Sequence, residues 1–244
     1  MFDIKIKPDA LRRMVGAVSI LVDEANFHLG PAGIVLRAVD PAHVAMIDLN
    51  LNAKAFEKYE ADDRYLGIDL GKISGFLRLA GPDSTIAARY DKNAHRLIIN
   101  IGNIERRMAP LDTSTMTEPR IPSVELPAKV VLSGDELDQG IKAAEAVSDR
   151  VALTVDPQGF EMIAEGGTDV VNLRLPKDLL TDHQCSDTVR SLYSLPYFAN
   201  MIRQAKPGQV TMHLGTDCPL RVEFDIAGND GHVMYMLAPR IESE

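Results

Sequence analysis

Few of the residues able to do chemistry stand close enough in this sequence to do it together. Gly67-Ile68-Asp69-Leu70-Gly71-Lys72-Ile73 has the glycine and lysine content of a phosphate-cradling loop. It is one residue short of that spacing, and Ile73 stands where a Ser or Thr should hold magnesium. Gly71-Lys72 reads instead as the start of a helix. The histidines, at 28, 43, 95, 183, 213 and 232, are scattered, with no His-Glu-x-x-His and no Ser/His/Asp grouping. Asp40 and Asp62-Asp63 suit turns better than a cation. Cys185 and Cys218 have no histidine at ligand spacing, and two thiols in a chain without a leader are expected to stay reduced. No catalytic residue, metal ligand or cofactor follows, and the chain is not expected to be an enzyme.

What remains is binding chemistry. Around Asp40-Pro41 two segments alternate with the period of strands. Ile34, Leu36 and Ala38 share one face of the first, and Ala45, Ile47, Leu49 and Leu51 one face of the second. The opposite faces carry Arg37, Asp48 and Asn50 far from the turn, but Val39, Val44 and Met46 near it. Three apolar side chains on a solvent-type face suggest a contact surface.

The same stretch recurs. Position n matches position n+126 without a gap across residues 7 to 49: Leu11 falls on Leu137, Pro31 on Pro157, Gly33 on Gly159, Ala38 on Ala164 and Val44 on Val170. A repeat of this length divides the chain in two. Val39, Val44 and Met46 become Glu165, Val170 and Asn172, so the element is duplicated and the apolar trio is not.

The elements that position these residues follow from periodicity. Each half reads as a strand, a helix and a run of antiparallel strands. In the first half a helix begins at Pro8 and buries Leu11, Met14, Val15 and Val18, and a second covers about 72–80. Strands are expected at about 24–30, 33–39, 44–51, 55–61, 65–70, 84–91, 95–101 and 104–111. In the second half Ser133 caps a helix over 135–148, with an exposed acidic face of Asp138, Glu145 and Asp149, and the last helix covers 195–205. Asn229-Asp230-Gly231 signals a hairpin. Between the halves Pro110, Pro119, Pro122 and Pro127, with intervening Thr and Ser, make a stiffened connector that contains Ile121.

With 244 residues and 45% apolar content the chain is globular, and no apolar run approaches a membrane span. The start, Met1-Phe2-Asp3-Ile4-Lys5, enters a strand pattern with no signal peptide. A net charge of −9 argues against a nucleic-acid binder unless the cations are gathered in one place.

Leu11-Arg12-Arg13, Ala38-Val39-Asp40-Pro41-Ala42-His43-Val44, Arg120-Ile121-Pro122 and Leu237-Ala238-Pro239-Arg240-Ile241-Glu242, in this order and spacing, resemble the proliferating-cell-nuclear-antigen sliding clamps, most like the archaeal ones. The resemblance runs the whole length. It implies an α+β DNA-clamp (processivity) fold with antiparallel sheets outside and two helices per domain on the inner face. The domains would be 1–110 and 128–244, joined by a connector at 111–127.

Further expectations come from the family. A homotrimeric ring would encircle double-stranded DNA without reading its sequence, opened by a clamp loader. It would tether DNA polymerase, flap endonuclease and DNA ligase through short peptides during replication and repair, in the cytoplasm at the nucleoid and away from membranes. The peptide pocket would comprise Val39, His43, Val44, Met46, Ile121, Pro122, Pro219, Met236, Ala238 and Pro239. Phosphate contacts supply affinity without sequence information, and the cations on or near the helices are Arg12, Arg13, Lys72, Arg78, Lys142, Arg203 and Lys206. Two other readings are a subunit of a heteromeric clamp and a β-rich binding module without a DNA role.

Overall fold

The computed structural model describes residues 2–241; Met1 and residues 242–244, and with them Glu242 of the tail motif, lie outside the described residues. The chain forms two compact units, one of Met1–Pro41, Ile47–Arg120 and Asp225–Val233, the other of Ala42–Met46, Ile121–Phe224 and Met234–Glu244.

The first unit contains β1 (Phe2–Ile6), α1 (Pro8–Ser19), β2 (Glu24–Gly30), β3 (Gly33–Val39), most of β4 (Ala45–Asn52), β5 (Lys58–Ala61), β6 (Arg64–Asp69), α2 (Leu70–Leu77), β7 (Ile86–Asp91), β8 (Arg96–Ile101) and β9 (Ile104–Met108). One sheet runs β5-β1-β7-β8-β9 and a second includes β4-β3-β2-β6. The second unit repeats the plan with β10 (Ala128–Ser133), α3 (Gly134–Ala144), β11 (Arg150–Asp156), β12 (Gly159–Glu165), β13 (Val170–Pro176), β14 (Asp182–Gln184), β15 (Val189–Ser194), α4 (Leu195–Ala205), β16 (Gln209–Leu214), β17 (Leu220–Ile226) and the end of β18 (Gly231–Leu237). Its sheets run β14-β10-β16-β17-β18 and β13-β12-β11-β15.

The repeat is carried down to single dihedrals. Gly33 and Gly159 open β3 and β12 at φ 143° and 155°. A Cβ on either would stand 2.2 Å from a carbonyl oxygen, Leu51 in one unit and Leu175 in the other. Only glycine fits both positions.

Each helix starts where its sequence supplies a cap or a proline. Pro8 begins α1, whose Leu11, Met14, Val15 and Val18 are buried, at about 1.5–3 kcal/mol per fully buried side chain. The Asp69 carboxylate accepts from the Lys72 N–H at 2.9 Å, so α2 begins at Leu70, two residues before the expected start, and ends at Leu77. An aspartate followed by a glycine and a lysine is thus a cap and not a phosphate loop. Ser133 Oγ accepts from the Asp135 N–H at 3.2 Å and caps α3 as expected, but α3 stops at Ala144 rather than 148.

Other boundaries differ as well. The expected strand at 55–61 shortens to β5, with a 3₁₀ turn at Ala53–Ala55 before it. The one at 104–111 ends at Met108; Leu111 instead donates to Gly67 O at 2.9 Å, where a Cβ on Gly67 would meet that segment. The Asn229-Asp230-Gly231 hairpin turns through Ala227, Gly228 and Asn229, all at positive φ.

Candidate functional site

In the first unit α1 lies against α2, and Arg12 joins them. Its Nη2 donates to Leu77 O at 2.9 Å and to Ala80 O, and its Nη1 to Asp9 at 3.2 Å. Leu77 O, the last carbonyl of α2, also accepts from the Ala80 N–H at 3.1 Å, so the guanidinium adds a second donor there and ties α1 to the turn that follows α2. Arg12 is therefore a partnered cation, its side chain about one-third exposed. Arg13, one position on, is half-buried, and its buried Nε has no hydrogen-bond partner. Lys72 Nζ pairs with Asp69 at 2.8 Å, which lowers the Asp69 pKa. Arg106 donates to Lys72 O at 2.8 Å, and Arg78, which closes α2, is exposed. With their caps α1 and α2 carry Lys7, Arg12, Arg13, Lys72 and Arg78 against Asp9 and Asp69.

The second unit arranges its cations differently. Asp138, expected on the exposed face of α3, is 2% exposed. Lys142 and Lys206 both reach its Oδ2, Lys142 at 2.9 Å. Arg203 Nε faces Oδ1 at 3.4 Å, and its Nη2 pairs with Glu145 at 2.6 Å. Lys206 also reaches Asp135 at 3.3 Å. The stems of the three long side chains cover the carboxylate. The lysine hydrogen bonds, Lys206 foremost and then Lys142, hold its pKa down to about 2. The same pairing raises Lys206, and Glu145 followed by Asp138 raises Arg203. With their caps α3 and α4 carry Lys142, Arg203 and Lys206 against Asp135, Glu136, Asp138 and Glu145. Sequence reasoning missed this hub; the i,i+4 spacing of Asp138 and Lys142 was its one readable sign.

Of the ten residues assigned to a peptide pocket, nine fall in the second unit: His43, Val44, Met46, Ile121, Pro122, Pro219, Met236, Ala238 and Pro239. The Ala238 N–H donates to Val44 O at 2.8 Å, which joins the turn to the tail of the chain. Met46 and Met236 are buried at 6% and 5% exposure, so neither is the open surface that alternation suggested for Met46. Ile121 and Pro122 are exposed, as is His43, which is held at positive φ. Val39 belongs to the first unit. There it lines a cavity of about 460 Å³ with Asn26, Arg37, Met116 and Glu118, and Arg37 pairs with Glu118 at 3.1 Å.

The histidines stay apart. His28 pairs with Asp63 at 2.7 Å, His213 with Glu223 at 3.1 Å and His232 with Asp225 at 2.9 Å. Both cysteines are free. Among the described residues no group of three His, Cys, Asp or Glu is disposed to hold a metal, and no helix is long and apolar enough to cross a membrane.

A duplicated α+β chain with paired sheets and two cation-bearing helices per copy has the architecture of a DNA clamp. Residues 1–116 match the family model described as proliferating cell nuclear antigen, N-terminal domain. The DNA polymerase sliding clamp of Methanococcoides burtonii is 44% identical over the full length of both chains. Among solved structures, A. fulgidus PCNA bound to the C-terminal region of FEN-1 superposes with a TM-score of 0.94 at 33% identity, covering all of both chains. PCNA from Thermococcus kodakaraensis gives 0.91 at 26% identity, over 98% of this chain and all of that one. The chain belongs to the proliferating-cell-nuclear-antigen family of DNA polymerase sliding clamps.

Proposed function

We propose that three copies close head to tail into a ring around duplex DNA, with 1–110 and 128–244 as clamp domains and 111–127 as connector. The observation that carries this is a pair of open edges. β9 and β13 each end a sheet, and Ile104 on β9 and Val170 on β13 are about half and two-thirds exposed. In the repeat β9 corresponds to β18 and β13 to β4, and β18 and β4 have partners: Asn52 N–H donates to Asp230 O, and Ala238 N–H to Val44 O. An edge left bare invites pairing, and a head-to-tail contact that closes makes a ring. Light scattering is expected to give roughly 80 kDa, three times 26.8 kDa. Monomer at micromolar concentration would overturn the ring, and trimer only on mixing with a second clamp chain would assign a heteromeric one.

The ring works by binding and not by catalysis, in the cytoplasm at the nucleoid. Arg12, Arg13, Lys72, Arg78, Lys142, Arg203 and Lys206 face the duplex. A loader, polymerase, flap endonuclease and ligase dock by short peptides at His43, Val44, Met46, Ile121, Pro122, Pro219, Met236, Ala238 and Pro239, with Val39 at the margin. The FEN-1 segment on the A. fulgidus relative supports a peptide site in this family. Ile121→Ala with Pro122→Ala, both exposed, should weaken a flap-endonuclease C-terminal peptide by about 1–3 kcal/mol in calorimetry. Unaltered affinity would place the site elsewhere. Met46→Ala is the poorer probe, because truncating a buried methionine also costs stability.

A further inference from the structure

We infer that Asp138 is a built-in counterion that competes with DNA phosphate for Lys142, Arg203 and Lys206, so that the second unit touches the duplex only in brief exchanges. The inference rests on the reading that α3 and α4 face DNA. Its basis is geometric. Asp138 Oδ2 is shared by two ammonium groups, while Oδ1 is buried, has no hydrogen bond and faces the Arg203 guanidinium at 3.4 Å. The carboxylate is 2% exposed, whereas the Lys142 side chain is 62% exposed and that of Arg203 37%.

The anion is thus sealed beneath cations that themselves reach solvent. A phosphate approaching from outside meets Lys142 first, and Lys142 can swing outward only by giving up Asp138. When the phosphate leaves, the carboxylate takes the ammonium back. Asp135 and Glu145 add two further carboxylates for Lys206 and Arg203. Among the described residues no buried carboxylate pairs with Arg12 of α1, which is held by two main-chain carbonyls and by Asp9, an exposed carboxylate. Asp138 is ionised at any working pH, since its lysine partners hold its pKa near 2.

Asp138→Asn keeps the shape of the side chain and removes one anion per subunit. The test is fluorescence anisotropy of the assembled protein with a labelled 30-base-pair duplex over a salt series, beside circular dichroism and mass. Freed cations should tighten binding by about tenfold at low salt. They should also steepen the log–log salt slope by roughly one to three, one released cation for each of three copies. Unchanged affinity and slope in a folded variant, or weaker binding, would overturn the inference. Should Asp138→Asn not fold, Glu145→Gln takes an exposed carboxylate from Arg203 and should tighten binding about twofold; no change there overturns the inference equally. A triple variant, Lys142→Gln with Arg203→Gln and Lys206→Gln, separates the two levels. If the triple weakens binding while Asp138→Asn does not strengthen it, the counterion idea alone fails. If neither moves it, α3 and α4 do not face DNA, and both readings fall.

Discussion

The two helix pairs occupy matching places in a duplicated fold, yet they hold their cations differently. On the first helix pair and its caps five cations stand against two carboxylates, with Glu57 outside the helices pairing Lys7 at 3.0 Å, and Arg12 is tied mainly to carbonyl oxygens. A carbonyl carries only a partial charge, so the guanidinium is positioned without being neutralised. In the second unit three cations stand against four carboxylates, and each of them has a carboxylate partner. Counting Lys and Arg alone, five against three, misses most of the difference. What separates them is the group that holds each cation in place.

The comparison is broken most readily at α1. Arg12→Glu with Arg13→Glu replaces two cations by two anions per copy, and affinity for a labelled duplex at low salt should fall by about a hundredfold, with the loss shrinking as salt rises. A matching change in the second unit, Lys142→Glu with Arg203→Glu, should cost clearly less. Equal losses would show that the counter-charges do not matter.

The next effect is on stability. Arg12→Ala removes the side-chain donor shared by Leu77 O and Ala80 O at the end of α2 and should cost about 1–2 kcal/mol, or a fall in Tm of roughly 2–8 °C by calorimetry. Arg13→Ala, which loses no such bond, should change stability by less than about 0.5 kcal/mol. If both variants melt alike, Arg12 is not the clasp between α1 and α2.

A third expectation concerns acid. The Asp138 pKa is lowered in the folded chain to about 2 from an ordinary 3.8, so its contribution is present above about pH 4 and lost as pH falls through 2. With solvent reaching Lys142, that contribution is on the order of 1 kcal/mol. Denaturant melts of wild type and Asp138→Asn should differ near neutrality and converge toward pH 2; a constant gap would mean that the carboxylate acts through packing. The smallest change is expected for Glu145→Gln, whose exposed pair with Arg203 should be worth under about 1 kcal/mol in the same melts.

Much of the fold was legible because its signals are local. Apolar spacing in α1, the Ser133 cap and the matched turns at Pro31 and Pro157 each depend on a few neighbouring residues. Helix and strand ends were less so: Asp69 as a cap, and Leu111 as the partner of Gly67, depend on bonds the strand pattern does not display. The site residues were named by resemblance and by charge. Their partners were not, since Arg12 meets Leu77 and Lys206 meets Asp138 only after the chain folds back over more than sixty residues. Asp138 misled for the same reason. Alone on a helix it reads as surface, and long side chains from two helices are needed to bury it.

Each unit completes itself with a segment drawn from the far half of the chain. Ala42–Met46 belongs with the second unit and Asp225–Val233 with the first. Severing the backbone after Arg120 would therefore not release two self-sufficient pieces. The amino-terminal fragment would lose Asp230 O as acceptor for the Asn52 N–H, and the carboxy-terminal fragment would lose Val44 O as acceptor for the Ala238 N–H. Made separately, the fragments should be poorly soluble; made in one cell, they should complement each other and hold together without a peptide bond. Each duplicated half thus supplies a backbone acceptor that the other half's unit needs to close its own hydrogen bonds.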